Sequence, residues 1–187
     1  YGGRLSSVLD MSMKDGNRER FGVDGTVGVM SSRVLVEGPI QKNRSSFLFS
    51  ARKSYIDKAS TWVANNADAV LNYGYYDIHA KLSTDIGKRD RLMLSGYVGK
   101  DGLANNAKAG LTANEDGIVW GNQAASLRWN HLYSGKMFAN TSLVYSYYKA
   151  RIAFGDYDAT SGRRTTSSIQ SSITDYTLKH DIDYHHN

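Results

Sequence analysis

Hydrophobic and polar side chains alternate along several segments of the chain, and this period of two is typical of a β-strand with one apolar face. The clearest case is residues 75–85, where the even positions are mostly apolar: Tyr76, Ile78, Ala80, Leu82 and Thr84. Residues 175–184 repeat the pattern, with one face made of Tyr176, Leu178, His180, Ile182 and Tyr184. Both segments are predicted to be long strands with two chemically different faces.

Six further segments alternate less regularly and are also predicted to be strands: residues 21–30, 33–38, 46–52, 91–99, 124–131 and 138–148. Several segments run to about ten residues, which is the length that a tilted strand needs to cross a membrane. Strands of soluble proteins usually have about 5–6 residues. The predicted fold class is therefore all-β: an antiparallel transmembrane β-barrel, of which the chain supplies about eight strands.

The connections between the predicted strands alternate in length. Short turns are predicted at residues 41–44, 87–90 and 134–136, and long connections at 56–74, 100–117 and 154–168. Outer-membrane barrels have short turns at the periplasmic rim and longer loops outside the cell. The first connection, Ser31-Ser32, breaks the rule because it is short on the outer side. Apolar residues at helical spacing also predict a short helix within the first long connection.

Composition narrows the class of protein. The chain has 187 residues, with 13 tyrosines, 3 tryptophans and 1 proline, which suits long strands and membrane–water interfaces. Mean hydropathy is −0.47, and no apolar run approaches the ~20 residues of a membrane helix. There is no cysteine, which excludes disulfides and thiolate metal sites. The formal net charge is +5, but the basic residues form no run, which argues against a nucleic-acid partner.

Several segments resemble TonB-dependent outer-membrane receptors, in particular those of the Bacteroidetes type. Residues 1–11 (YGGRLSSVLDM) resemble the last plug strand, and residues 34–40 (VLVEGPI) resemble the second barrel strand with its exit turn. Four further segments resemble the barrel strands that follow in the family: residues 46–57, 76–82, 91–99 and 125–131. Together these segments cover most of the chain in the order of the family, although each one alone is an ordinary strand sequence.

The resemblance implies a barrel of about 22 strands around a plug. Residues 1–16 would be the C-terminal end of the plug domain, and residues 17–187 the N-terminal portion of the barrel. We expect further sequence on both sides, since the chain starts without methionine and stops directly after a patterned segment. The segment by which the family couples to TonB lies before the plug, outside this chain.

The implied function is uptake of a large, scarce nutrient across the bacterial outer membrane. Siderophore, haem, vitamin, oligosaccharide and peptide all remain open as the nutrient. The implied partners are outer-membrane lipid, the TonB energy-coupling complex, the nutrient ligand and a surface lipoprotein. Neither an enzymatic activity nor a cofactor is expected.

Four aromatic residues in or beside the long connections are the candidates for contact with the nutrient: Trp62, Tyr73, Trp120 and Tyr157. Flat rings stack on sugars or on aromatic chelators, although each ring could instead belong to the aromatic girdle or pack loops together. The charged residues of the polar faces are expected to hydrogen-bond the plug and neighbouring strands: Asp77, Lys81, Asp85, Arg128, Asp175, Lys179, Asp181 and Asp183. His180, His185 and His186 lack the ligand spacing of a metal site.

Three alternatives stay open at the level of sequence. A porin would have the same kind of wall without a plug. A barrel enzyme would need a catalytic constellation at one rim, but His131 and Ser134 have no evident third member. A soluble all-β binding module would also alternate, and it would bury its apolar residues in a core.

Overall fold

The computed structural model describes residues 13–57, 72–104, 117–158, 160 and 163–186. These residues form eight β-strands in a single antiparallel sheet, in which each strand pairs with its neighbours in the chain. The all-β antiparallel prediction and the expected number of strands are confirmed. The strands are β1 (Gly22–Val27), β2 (Ser31–Gln41), β3 (Ser45–Ser54), β4 (Asn72–Ile86), β5 (Asp90–Ala104), β6 (Gly117–Ser134), β7 (Met137–Asp158) and β8 (Arg163–Tyr184).

The register of the strands sorts the alternating residues into two continuous faces. One row across the sheet is almost entirely leucine. Each residue of this row is the direct neighbour of the next on the adjacent strand: Phe47, Leu82, Leu94, Leu127, Leu143 and Leu178. We name the side that carries this row the apolar face. The opposite side, the polar face, carries the rows that contain Lys81 and Asp77. Matching faces on consecutive strands explain why this register is chosen, since a slip by one residue would reverse every side chain.

Short turns close three hairpins at one end of the sheet, which we name the short-turn end. Residues 42–44 join β2 to β3, residues 87–89 join β4 to β5, and residues 135–136 join β6 to β7. Asn43 and Gly87 have φ angles of 58° and 77° in these turns, a left-handed conformation that these two residue types adopt most readily. The opposite end, where residues 55–71 and 105–116 connect the strands, is the long-connection end.

Three predicted boundaries are wrong. Residues 154–168 were expected to be a long connection, but β7 continues to Asp158 and β8 begins at Arg163. The serines and threonines of this stretch instead pair with the extended β7, for example Thr166 opposite Gly155. Asp101-Gly102 falls in the predicted connection 100–117 but lies inside β5, and Ser31-Ser32, predicted to be the first connection, lies inside β2. The predicted helix falls mostly on residues 58–71, outside the described residues.

Burial in this sheet is inverted relative to a soluble protein. Within the described residues, the buried hydrophobic side chains are Leu48, Ala104, Ala139 and Ala153. Buried polar residues include Ser46, His79 and Ser83, all on the polar face. The apolar face is open, with Leu82, Leu143 and Leu178 exposed to 45%, 52% and 75%. The sheet therefore protects polar groups and leaves its hydrophobic side uncovered.

Residues 13–20, which we name the docked segment, cover the polar face near the short-turn end. Their backbone lies so close to β3 that a Cβ on Gly16 would meet the carbonyl oxygen of Phe47 at 2.0 Å. Only glycine fits there. No described helix has both the length and the hydrophobicity required to span a membrane.

Candidate ligand-binding site on the polar face

The structure describes two of the four predicted contact residues with their side chains. Tyr73 lies near the start of β4 and Trp120 near the start of β6, so both belong to strands rather than to loops. Tyr157 lies in β7 opposite Arg164, but its side chain is outside the description. Trp62 falls outside the described residues. Tyr73 and Trp120 share the polar face at the long-connection end, where the register places both of them around Asp101.

Asp101 is the centre of this group. Trp120 is its direct neighbour on β6, and Tyr75 is its direct neighbour on β4. The hydroxyl of Tyr73 donates a hydrogen bond of 3.1 Å to Asp101 Oδ1. The rings of Tyr73 and Tyr75 are 5.9 Å apart and tilted by 49°, within the range of favourable aromatic pairs.

An arginine and a second carboxylate complete the group toward the middle of the sheet. Arg52 Nε donates a 2.7 Å hydrogen bond to Asp77 Oδ2. Its guanidinium carbon lies 4.9 Å from the centre of the Tyr75 ring, a cation–π distance. Tyr97 extends over Gly99, where a Cβ would meet the Tyr97 hydroxyl oxygen at 2.3 Å. We name these seven residues the aromatic–carboxylate cluster: Arg52, Tyr73, Tyr75, Asp77, Tyr97, Asp101 and Trp120.

The side chains of the cluster are of the kinds that bind a polar ligand. Ring faces offer stacking surface, while the carboxylates and the guanidinium offer fixed hydrogen-bonding partners for hydroxyl or amide groups. No described group of three His, Cys, Asp or Glu side chains is arranged to hold a metal ion. His131 contacts Asp90 through Nδ1 at 2.7 Å, at the short-turn end and on the apolar face, so the register separates this pair from the cluster.

Sequence reasoning missed Arg52, Tyr75, Tyr97 and Asp101 as members of one site. The alternation assigned Tyr97 to a polar face, but it could not give the register that brings Tyr97 beside Asp77 and Asp101. Asp101 was hidden because an Asp-Gly pair is a common turn signal. A longer alternating reading of β5, through Leu103, would have placed Tyr97, Gly99 and Asp101 on one side.

The other end of the polar face is an ion-pair network with the docked segment. Asp15 pairs with Lys81 Nζ at 2.7 Å and also with Arg91. Arg18 forms a two-pronged pair with Asp85, and this hydrogen bond raises the pKa of the Arg18 guanidinium above its ordinary value. Lys14 Nζ lies 2.8 Å from Glu37. Two of the predicted inward-facing charges, Lys81 and Asp85, thus contact this segment.

No protein family, curated protein or solved structure matched the chain when it was compared with each. Function is therefore inferred from the two faces of the sheet, from the geometry of the polar face and from the resemblance of several sequence segments to TonB-dependent receptors. Of these, the two faces carry the most weight, because they constrain the surroundings of every strand.

Proposed function

We propose that the chain is part of a TonB-dependent outer-membrane transporter, contributing the end of the plug and part of the barrel wall. The observation that carries the proposal is the inverted burial. A wall between lipid and a water-filled lumen needs apolar side chains outside and polar side chains inside, in strands that satisfy every backbone hydrogen bond. The two faces of this sheet meet that requirement.

The dimensions of the apolar face support a membrane location. Its apolar side chains occupy residues 78–86 of β4, 137–147 of β7 and 174–184 of β8, nine to eleven positions in each strand. A tilted membrane strand needs about 9–11 residues. We name this zone the apolar band. The rest of β7 and β8 continues beyond it at the long-connection end.

Aromatic residues lie toward both ends of the apolar band. Trp129, His131 and Tyr133 stack in sequence at the short-turn end, with ring centres 5.5 Å and 4.4 Å apart. Tyr145 and Tyr176 lie 5.2 Å apart nearer the long-connection end. Aromatic residues near both edges of an apolar surface are typical of outer-membrane barrels, because amphipathic rings favour the membrane–water interface.

The edges of the sheet favour a larger assembly. β1 and β8 are the outermost strands of the described sheet, and β8 offers 22 residues of backbone to a further partner. Long exposed edges are normally avoided because they invite aggregation. Additional strands that close the sheet into a barrel would pair both edges.

The docked segment is the natural candidate for the end of the plug. It precedes β1, crosses the polar face and pairs its charges with Lys81, Asp85 and Arg91. Inside a closed barrel this location would be the lumen. The aromatic–carboxylate cluster would then lie further out along the same lumen, where we propose that Tyr73 and Trp120 contact the incoming nutrient. The ring faces and carboxylates suit a ligand with a flat face and hydroxyl groups.

The exposed apolar band argues against a soluble binding module, because an apolar patch of this kind would make the protein associate with other molecules in water. The docked segment speaks against an unplugged porin, in which the charges of the lumen would face water alone. A barrel hydrolase gains no support, since His131 contacts Asp90 and the ring of Trp129 on the side assigned to lipid.

The test uses the full-length protein that contains this chain, placed in lipid vesicles with single spin labels on neighbouring positions. Leu178→Cys and Ile182→Cys report on the apolar face, and Thr177→Cys and Asp181→Cys are the matched controls one residue away. The two apolar-face labels are expected to collide with lipid-soluble oxygen and the two controls with a water-soluble nickel chelate. Labels at 178 and 182 that are shielded from both reagents would sink the proposal, since they would lie in a protein core.

Transport itself is tested in cells. Cells that carry the full-length protein should accumulate its ligand only while the TonB complex is intact and the inner membrane is energised. The ligand is sought among ferric siderophores, haem, cobalamin, oligosaccharides and peptides. Equal accumulation with and without TonB would instead support a passive porin.

A further inference from the structure

Basic side chains border the apolar band at the long-connection end. Lys53, Lys100 and Lys149 lie on the apolar face of β3, β5 and β7, one step beyond the last apolar row. Arg151 lies one step further on β7, opposite Val119. In the described strands this face carries one carboxylate, Asp90, and that residue is at the short-turn end. Within the described strands, this positive charge therefore has no acidic side chain beside it on the same face of the sheet.

Two of these lysines and the arginine line a hollow of about 310 Å³, which we name the basic hollow. Its floor is Gly121, the direct neighbour of both Lys100 and Lys149. Because strands lie about 4.8 Å apart, the Cα atoms of the two lysines are separated by about 10 Å. Two ammonium groups on long flexible stems can converge on an anion across that gap. Tyr76 and Tyr147 line the side nearer the apolar band.

A second hollow of about 310 Å³ continues from the first into the apolar band. The two share Val98 and Gln123 as lining residues. The second hollow, which we name the acyl slot, follows a row of small residues on the same face: Ala80, Gly96 and Ala125. Ile78 and Tyr145 form its sides. A row of small residues leaves a groove between larger neighbours, and the lining of this one is almost wholly apolar.

We propose that the basic hollow and the acyl slot together bind one membrane lipid, with a phosphate group of its headgroup between Lys100, Lys149 and Arg151 and an acyl chain along Gly96. This inference rests on the proposed membrane location of the apolar face. Charge complementarity identifies the headgroup as anionic, and guanidinium and ammonium groups are both common phosphate ligands. The adjoining apolar groove identifies the occupant as a lipid rather than as a soluble phosphate.

The headgroup half is tested on the full-length protein in neutral detergent by native mass spectrometry. The probes are dioleoyl phosphatidic acid and dioleoylglycerol, which have the same chains with and without phosphate. We expect phosphatidic acid to bind in preference, and the double variant Lys100→Gln/Lys149→Gln to bind it about 25-fold more weakly, from about fivefold for each basic residue. The matched control is Lys136→Gln in the turn at the opposite end of β7, which should leave binding unchanged.

The acyl half is tested with a glycine pair. A Cβ on Gly96 would meet no atom within 4 Å, and the same is true of Gly25, which lies on the apolar face of β1. Gly96→Val therefore fills the acyl slot without a backbone clash, and valine suits a strand. We expect about tenfold weaker binding of phosphatidic acid, equivalent to about two methylene groups losing their contact. Gly25→Val should bind as the unchanged protein does.

Three outcomes would overturn the inference. One is equal binding of phosphatidic acid by the double lysine variant and by Lys136→Gln. Another is full competition by glycerol phosphate, which has the headgroup chemistry without chains and would indicate a site for soluble phosphate. The third is unchanged binding in Gly96→Val. Each variant must retain the folded mobility of the barrel on a gel, and the single variant Lys100→Gln replaces the double variant if that one does not fold.

Failure here is distinguishable from failure of the proposed function. The spin labels at 178 and 182 lie on β8, away from both hollows, and report on lipid exposure alone. Lipid-exposed labels with unaltered lipid binding in the variants would remove this site and leave the transporter proposal intact. Labels shielded from lipid would remove both.

Discussion

The two ends of the polar face are built from the same kinds of residue and used differently. At the short-turn end, Lys81, Asp85 and Arg91 pair with the docked segment, whose backbone lies against β3. At the long-connection end, Arg52 and Asp77 pair with each other across two strands, and no described segment covers them. At the short-turn end the charged side chains bind the docked segment, whereas at the long-connection end they pair with each other within the sheet.

This difference indicates which charges are structural. The Lys81 side chain is 14% exposed and donates to the Met13 carbonyl as well as pairing with Asp15, so losing its partner would leave a nearly buried cation unpaired. Asp101 instead accepts a hydrogen bond from Tyr73, and Trp120 beside it is half-buried. We therefore expect substitutions at the short-turn end to affect folding and docking, and those at the long-connection end to affect ligand binding.

The largest effect is expected from Asp15→Asn. The change removes the negative charge that holds both Lys81 and Arg91, and the Lys81 ammonium is largely withdrawn from water. Leaving such a cation unpaired costs about 2–3 kcal/mol. In the full-length protein, residues 13–20 should become sensitive to proteolysis, and the midpoint of thermal unfolding in detergent should fall.

The matched control is the same substitution in an exposed pair. Asp24 contacts Arg33 at 2.9 Å, with the two side chains 62% and 51% exposed, and such pairs contribute about 0–1 kcal/mol. Asp24→Asn should therefore leave both measurements nearly unchanged. If the two substitutions have equal effects, the docked segment is not held by its charges and the contrast between the two ends fails.

The next effect in size is expected from Trp120→Ala at the other end. Loss of the indole removes a stacking surface while leaving the strand pairing of β6 intact. We expect the ligand found by screening to bind about tenfold more weakly, and the midpoint of unfolding to change little. Isothermal titration calorimetry on the full-length protein measures the affinity.

Trp129→Ala deletes the same side chain from the same strand, but on the apolar face. There the indole N–H donates a 2.8 Å hydrogen bond to Asp90, and the ring packs against His131. This variant should lose stability and keep its ligand affinity. If Trp129→Ala lost affinity and Trp120→Ala did not, the ligand would contact the apolar face, and the aromatic–carboxylate cluster would not be the ligand-binding site.

The strands were predictable because a period of two leaves a clear record in the sequence. Residues such as Ile78 and Leu178 alternate with charged neighbours, and the same alternation sets the register of neighbouring strands through matched faces. Confirmation was strongest where the apolar face is rich in leucine and tyrosine. It was weakest beyond the apolar band, where residues 163–172 of β8 are mostly serine, threonine and arginine and the period carries no signal.

The candidate site depends on register more than on composition. Tyr73 and Trp120 are separated by 47 positions in the sequence, and only the pairing of β4 with β5 and of β5 with β6 brings both to Asp101. Aromatic residues near strand ends could be selected from sequence, but their partners could not. Lys81 and Asp85 could likewise be assigned to the polar face from sequence, but their partners Asp15 and Arg18 could not, because these contacts join residues far apart in the chain.

The smallest effect is expected from Tyr73→Phe, which keeps the ring and removes one hydroxyl. That hydroxyl donates to Asp101 Oδ1 at 3.1 Å, and a typical hydrogen bond contributes about 1 kcal/mol net. If the bond fixes Asp101 for the ligand, affinity should fall about threefold to fivefold, with a small change in stability. Tyr145→Phe, within the apolar band, is the control and should bind normally. Should Tyr73→Phe bind more tightly, the hydroxyl competes with the ligand for Asp101, and the carboxylate rather than the ring is the group that the ligand contacts.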